Sequence, residues 1–268
     1  MTCPHRILIL GGTTEATALV RQLHSLSTVE VITSLAGRTQ TPRALPGIVR
    51  VGGFGGVDGL VAYLCDRAID ILIDATHPFA AQISHHASTA ATQVGIPHLI
   101  LCRPPWPKQA QDHWIEVASH PEAAHRLVAL GQRIFLTIGR QELAAFASVQ
   151  QCWFLMRMID FPSAEVQLPP GKVLLQRGPF TLAQECELLK TYAIQALVSK
   201  NSGGEATYAK IQAARELGLP VVMVQRPTLP TEAQVSHPTQ AIQWIQAILS
   251  KMPSRAVYPN SVSPDHVG

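Results

Sequence analysis

The sequence predicts an α/β protein made of two doubly wound parallel-sheet halves. Three observations carry that prediction. The first is an unbroken apolar run, Ile7-Leu8-Ile9-Leu10, which reads as a strand buried on both faces, as in parallel sheets. The second is the regular alternation of such runs with helical patterns between residues 7 and 102. The third is a new series of the same layout that begins at Arg133-Ile134-Phe135-Leu136-Thr137, without a sequence repeat. At 268 residues, 47% hydrophobic and 15% charged, the chain is long and apolar enough to bury two cores.

In the first half, expected over residues 1–110, the opening strand runs into Gly11-Gly12-Thr13-Thr14 and a helix opening at Ala16, with apolar positions Ala16, Leu19, Val20 and Leu23. A strand, a small-residue turn and a helix N-terminus gather unpaired N–H groups at one point, which makes an anion site. Against the G-x-G-x-x-G/A fingerprint, Gly11 and Ala16 take the first and third places, while Thr13 stands where the second glycine belongs. These residues alone therefore leave phosphate binding and a plain turn equally open. Residues 29–34 read as the second strand, and Ile48-Val49-Arg50-Val51 as a short third one closed by Gly52-Gly53-Phe54-Gly55-Gly56. A helix over 57–67 leads to the strand 69–74 and to Ala75-Thr76-His77-Pro78, where Pro78 suits a first helical turn. The next helix runs to about residue 94, and His98-Leu99-Ile100-Leu101-Cys102 is the fifth strand, stopped by Arg103-Pro104-Pro105-Trp106-Pro107.

The second half is expected over 111–250, joined to the first by a Pro-containing hinge near residues 106–111. Residues 113–119 are either a crossover strand or the start of this half. Strands follow at 133–137, 153–158, 173–176, 196–199 and 221–225, with helices near 180–190, 207–217 and 239–249. Residues 251–268 carry Pro, Ser, Asn and Gly without periodicity and read as a disordered tail.

Several function classes are disfavoured by composition. A net charge of +3 with no Lys/Arg run argues against nucleic-acid and membrane-surface binding. The first apolar run is too short for a signal peptide or a membrane span. Five dispersed cysteines, Cys3, Cys65, Cys102, Cys152 and Cys186, predict reduced thiols and a cytoplasmic protein. His77, His85 and His86 have no Cys or carboxylate at ligand spacing, so no metal is expected. Ser202 lacks the G-x-S-x-G setting of a hydrolase.

In open parallel sheets, ligands bind outside the carboxyl ends of the strands. The four glycines of Gly52-Gly53-Phe54-Gly55-Gly56 allow a ligand to approach the backbone closely, against the plainer reading of a flexible turn. Thr33-Ser34 end the second strand and Arg38 follows, with no acid between. That pattern suits a 2′-phosphate and hence NADP over NAD, although Arg38 alone reads equally well as a surface residue. His77 either caps a helix or faces the nicotinamide end of a dinucleotide. In the second half, Arg140, Arg177, Lys200 and Arg226 each follow a strand. Any one is an ordinary surface charge, but four on one sheet edge steer a polyanionic substrate. The loop Ser199-Lys200-Asn201-Ser202-Gly203-Gly204 adds backbone donors.

Taken together, the segments resemble the precorrin-6A reductase family of corrin biosynthesis. The matching stretches are Leu-Gly-Gly-Thr-Thr-Glu-Ala at 10–16, Ser-Leu-Ala-Gly-Arg at 34–38, Gly-Gly-Phe-Gly-Gly at 52–56 and Asp-Ala-Thr-His-Pro-Phe-Ala at 74–80. Arg-Pro-Pro-Trp at 103–106, Phe-Leu-Thr-Ile-Gly-Arg at 135–140 and Val-Ser-Lys-Asn-Ser-Gly-Gly at 198–204 continue the series. The resemblance implies two Rossmann-like domains with a cleft between them, NADPH on the first and a tetrapyrrole in the cleft. It implies hydride transfer to one macrocycle double bond of precorrin-6A or its cobalt form, and passing contact with neighbouring enzymes of the pathway. Cofactor contacts carry over to Gly11, Gly12, Thr13, Ser34, Arg38, Gly53, Phe54, Gly55 and Thr76. Substrate contacts carry over to Arg140, Lys200, Ser202 and Gly203, and His77 and Lys200 stand beside solvent as proton donors. The alternative, a non-catalytic dinucleotide-binding sensor or scaffold, has no use for the second cationic edge. A methyltransferase using S-adenosylmethionine is weaker still, because that cofactor does not need Arg38. The sequence does not separate the metal-free from the cobalt-containing substrate.

Overall fold

In the computed structural model, residues 3–37, 44–163, 165–231 and 233–253 are described. Arg38 and residues 254–268, most of the expected tail, lie outside them. The first sheet contains β1 (His5–Leu10), β2 (Val29–Leu35), β3 (Ile48–Val51), β4 (Ile71–Asp74), β5 (His98–Leu101) and β12 (Gln234–Val235). Its order is β12-β5-β4-β1-β2-β3, and every pairing is parallel. The second sheet contains β6 (Trp114–Val117), β7 (Arg133–Thr137), β8 (Trp153–Met158), β9 (Gly171–Leu175), β10 (Ala196–Lys200) and β11 (Val221–Val224). Its order is β6-β11-β10-β7-β8-β9, again all parallel. The fold is thus two parallel-sheet α/β domains of six strands each.

Ile7, Leu8, Ile9 and Leu10 are at most 2% exposed, because alternate side chains enter opposite cores. Ile7 and Ile9 pack with Leu19 and Val20 of α1 (Thr14–Leu23) and with Ala241 and Ile245 of α7 (Pro238–Leu249). Leu8 and Leu10 pack with Leu60 and Leu64 of α2 (Val57–Asp66) and with Ala87 and Ala90 of α3 (Ala81–Val94). Each such side chain contributes about 1.5–3 kcal/mol by leaving water. The second sheet repeats the plan. Ile134, Leu136, Phe154 and Val198 face α4 (His120–Leu127), which the sequence reading passed over, and a 3-10 stretch, Arg140–Phe146. Phe135, Leu155 and Leu197 share a cluster with Leu189 of α5 (Leu182–Thr191) and Ile211 of α6 (Ala209–Glu216).

The expected division of the chain departs from the structure at its end. Residues 113–119 hold an edge strand of the second sheet, β6, which pairs with β11. Residues 234–249, expected in the second half, return to the first sheet instead: β12 pairs with β5, and α7 buries Ala241 and Ile245 in the first core. A two-residue strand carries no periodicity, and an amphipathic helix shows an apolar face without saying which core receives it. The expected hinge also differs. Trp106 is 6% exposed within the second core, and Asp112 holds Arg215 of α6 at 2.9 Å, so the segment is anchored to the second domain. Among the described residues no helix is long and apolar enough to cross a membrane.

Candidate functional site

In both sheets the chain order reverses beside the first strand of the series, β1 in one and β7 in the other, and open α/β sheets bind ligands at the carboxyl end of such switch points. These two edges meet. The Lys200 ammonium at the end of β10 lies 5.3 Å over the ring of Phe79, in the loop after β4. The seam is tied by hydrogen bonds from the segment that leaves β5. Arg103 Nε donates to the Ser202 carbonyl at 2.7 Å, and Trp106 Nε1 to the Gly204 carbonyl at 2.8 Å. Asn201 Oδ1 accepts from the Trp106 amide at 2.8 Å, and Arg226 Nη1 donates to the Arg103 carbonyl at 2.7 Å.

The first-domain residues form one continuous rim. Thr13 caps α1, so the helix begins at Thr14, two residues before the expected Ala16. The cap hydroxyl accepts from the Ala16 amide at 3.1 Å and donates to the Ala75 carbonyl at 2.8 Å, tying the turn after β1 to the end of β4. Its role is structural as well as positional: it aims the free N–H groups of the first helical turn at the strand ends. At the end of β2, Ser34 is 6% exposed and its Oγ accepts from Arg50 Nη1 at 2.8 Å. Arg50 also donates to the carbonyls of Gly52 and Gly53, each at 2.9 Å, and stacks 3.9 Å from the Phe54 ring. Among the described residues, a Cβ on Gly52, Gly53, Gly55 or Gly56 would meet nothing within 4 Å, so there this loop borders open space. Arg50 is thus a guanidinium fixed beside Ser34 that the sequence reading did not single out. Its signal was present, an Arg at the end of a strand next to Gly-Gly-Phe.

At the mouth of β4, Asp74 Oδ1 accepts from the amide and hydroxyl of Thr76, at 3.0 and 2.7 Å. Among the described residues Asp74 Oδ2 is buried without a partner, an acceptor left open at the point where the nicotinamide end of a dinucleotide is expected. His77 Nδ1 accepts from the Phe79 amide at 3.2 Å, which places the ring proton on Nε2. Burial first, then Lys200, Arg103, Arg226 and Lys210, push its pKa down from 6.5 to about 3. A neutral His77 is a hydrogen-bond donor and no acid at neutral pH. The unfolded chain takes up this proton near 6.5 and the native one only near 3, so the contribution to stability is present above pH 6.5 and lost as pH falls toward 3. His77→Asn should therefore resist acid better than the parent. The gap should reach roughly 2 kcal/mol by about pH 4, allowing for the partial exposure of the ring. Parallel unfolding curves for the two proteins from pH 7 to pH 4 would exclude this.

On the second domain the expected residues separate. Lys200 stands at the meeting of the two edges, whereas Arg140 lies at the start of the 3-10 stretch and donates to the Phe161 carbonyl at 3.3 Å. Ser202 is 7% exposed, and a Cβ on Gly203, whose φ is +66°, would come within 2.0 Å of the Pro104 carbonyl. The loop is therefore packed on the crossing segment, not splayed open as a cradle. Arg226 is used as a tie between Asn201 and Arg103, and Arg177 is exposed. Arg103, also missed, pairs with Glu15 of α1 at 2.8 Å and brings a cation to the helix N-terminus. His120, at the end of the β6 loop, lies 3.4 Å from Glu142, and burial lowers its pKa against the pull of that carboxylate. Among the described residues no cluster of three or more His, Cys, Asp or Glu is placed to hold a metal ion.

The chain matches the family model "Precorrin-6x reductase CbiJ/CobK" over residues 6–246. It is 50% identical over 242 residues to a precorrin-6A reductase of Rhodococcus erythropolis, covering 90% of this chain and 97% of that one. A cobalt-precorrin-6A reductase of Methanothermobacter thermautotrophicus is 28% identical, over 85% of this chain and 78% of that one. Among solved structures, a CobK precorrin-6A reductase superposes with a TM-score of 0.84 at 40% identity, covering 91% of this chain and 96% of that one.

Proposed function

From the premise that this chain belongs to the precorrin-6x reductase CbiJ/CobK family and is a precorrin-6A reductase of cobalamin biosynthesis, we propose that NADPH is its reductant and the metal-free macrocycle its substrate. The observation that carries the cofactor reading is the fixed Arg50–Ser34 pair beside the open Gly52–Gly56 turn. Three of the N–H groups of Arg50 are engaged by Ser34, Gly52 and Gly53, which leaves others for a phosphate. Gly11, Gly12 and Thr13 offer the α1 N-terminus to the pyrophosphate, with Arg103 beside it. Ser34, Arg38 and Arg50 take the 2′-phosphate, Gly53, Phe54 and Gly55 border the adenosine, and Thr76 and Asp74 receive the nicotinamide end. When bound, NADPH supplies the hydride. Around it, His77 donates a hydrogen bond from Nε2, Phe79 closes the seam against water, and Lys200 and Arg140 hold carboxylates of the macrocycle. A proton must also reach the reduced double bond. The low pKa of His77 favours Lys200, whose ammonium lies over the Phe79 ring, or solvent as its source at neutral pH.

NADPH is expected to bind more than about tenfold more tightly than NADH, since a charge-assisted contact contributes about 1.5–3 kcal/mol. Arg38→Ala and Arg50→Met should each bring the ratio toward unity in titration calorimetry. An equal loss for both cofactors would make these arginines structural. For the substrate, identity to the precorrin-6A reductase stands well above identity to the cobalt-precorrin relative, 50% against 28%. NADPH oxidation with each macrocycle tests this, and faster turnover of the cobalt form would reverse the assignment. A non-catalytic sensor is not favoured, because it leaves Lys200 and Arg140 without a task. The five cysteines are free, as a reducing cytoplasm would keep them.

A further inference from the structure

We propose that Lys210 is a substrate-binding residue: with Lys200 and the Trp106 ring it forms the seat for one carboxylate of the tetrapyrrole where the two sheets meet. The proposal rests on the reductase reading and names a contact that neither the sequence motifs nor the seam hydrogen bonds assign.

Lys210 is the second residue of α6 and only 4% exposed, with its ammonium 5.4 Å over the Trp106 ring. The charged groups facing it are Arg157 of β8, Glu185 of α5 and Lys200 at the end of β10, and His77 across the seam feels its charge. Glu185 does not serve as its counter-ion. That carboxylate lies 2.8 Å from Arg157 Nη2, and no ion pair to Lys210 is formed among the described residues. Across the seam the other cations are engaged, Arg103 by Glu15 and Arg226 by the Asn201 and Arg103 carbonyls. Arg157, Lys200 and Lys210 thus lie around a single carboxylate that Arg157 holds, and Lys210, the most deeply buried of the three, forms no ion pair among the described residues.

A buried ammonium without a counter-ion is costly, and such a group sheds its proton. Burial first, then Arg157 and Lys200, bring the pKa of Lys210 down from 10.5 to about 7, with Glu185 opposing. An arriving carboxylate reverses that balance and draws a proton onto the amine. Substrate binding above neutral pH is then coupled to uptake of a proton by the protein, because the substrate carboxylates are already ionised there.

The test is calorimetric titration of the intact protein with precorrin-6A, without NADPH, at about pH 8 in buffers of unlike ionisation heat. The parent protein should take up close to one proton, and its affinity should fall up to tenfold for each pH unit above about 7.5. Lys210→Met should show neither effect and bind at least about tenfold more weakly near pH 7. Lys210→Arg, charged throughout, should bind without proton uptake and covers the case in which the methionine variant fails to fold. No uptake by the parent, the same uptake by Lys210→Met, or uptake on NADPH binding alone would each overturn the proposal while leaving the reductase reading intact. A parent protein that neither binds nor reduces precorrin-6A would overturn the reductase reading itself.

Discussion

Replacing Lys200 with alanine is expected to raise the KM for precorrin-6A a hundredfold or more, with NADPH affinity unchanged. Lys200 is half-buried at the end of β10, and its ammonium already rests 5.3 Å from the Phe79 ring of the other domain. A macrocycle bound between the edges, as proposed, would remove the remaining water from that ammonium and from the carboxylate it met. Breaking a desolvated pair costs about 3–5 kcal/mol, whereas an exposed one contributes only about 0–1. Arg140→Ala supplies the contrast, since Arg140 points toward the Phe161 carbonyl, a more exposed contact, and its loss should change KM only a few-fold. Steady-state kinetics with saturating NADPH separate two roles for Lys200. A rise in KM alone assigns it to binding, and a collapse of kcat at saturating substrate assigns it to proton delivery. If neither parameter moves, the cationic edge does not hold the substrate at this residue.

Glu185→Ala should destabilise the second domain by about 3–5 kcal/mol, because it strands a buried guanidinium. The Arg157 and Glu185 side chains are 6% and 1% exposed, with Nη2 and Oε1 2.8 Å apart. The Arg157 guanidinium also lies 3.8 and 4.8 Å from the centroids of the Phe180 and Phe135 rings, which cover it in addition to Glu185. The double replacement Arg157→Met with Glu185→Leu should recover most of the loss, since well-packed apolar groups replace a buried pair at little cost. Chemical denaturation followed by tryptophan fluorescence reads the change, as Trp106, Trp114 and Trp153 all belong to the second core. A single-variant loss below about 1 kcal/mol would mean that water reaches the pair.

Much of this architecture is legible in the chain. The runs around Ile7–Leu10 and Ile134–Leu136 are apolar at every position, and only a sheet covered on both faces accommodates them. Helices with a regular apolar stripe, such as α1 and α5, show their bounds in the sequence to within a few residues. What escaped was short or ambiguous. Helix α4 spans eight residues and opens with His-Pro-Glu, and the 3-10 stretch after β7 has no α-helical period. Arg50 shows only as a strand residue in the sequence, because a partner sixteen positions earlier, Ser34, leaves no local pattern.

Local composition therefore determined the two parallel sheets, the strand–turn–helix after β1, the glycine-rich loop after β3 and the set of strand-end cations. These features follow from side-chain period, backbone freedom and charge, all of which act within a few residues. Only the tertiary structure decided which strand-end cations meet across the seam and which are spent tying it, that α7 closes the first core, and that Lys210 lies buried without an ion pair among the described residues. Each depends on contacts between groups dozens of residues apart, where burial and the neighbouring charges set what a side chain can do.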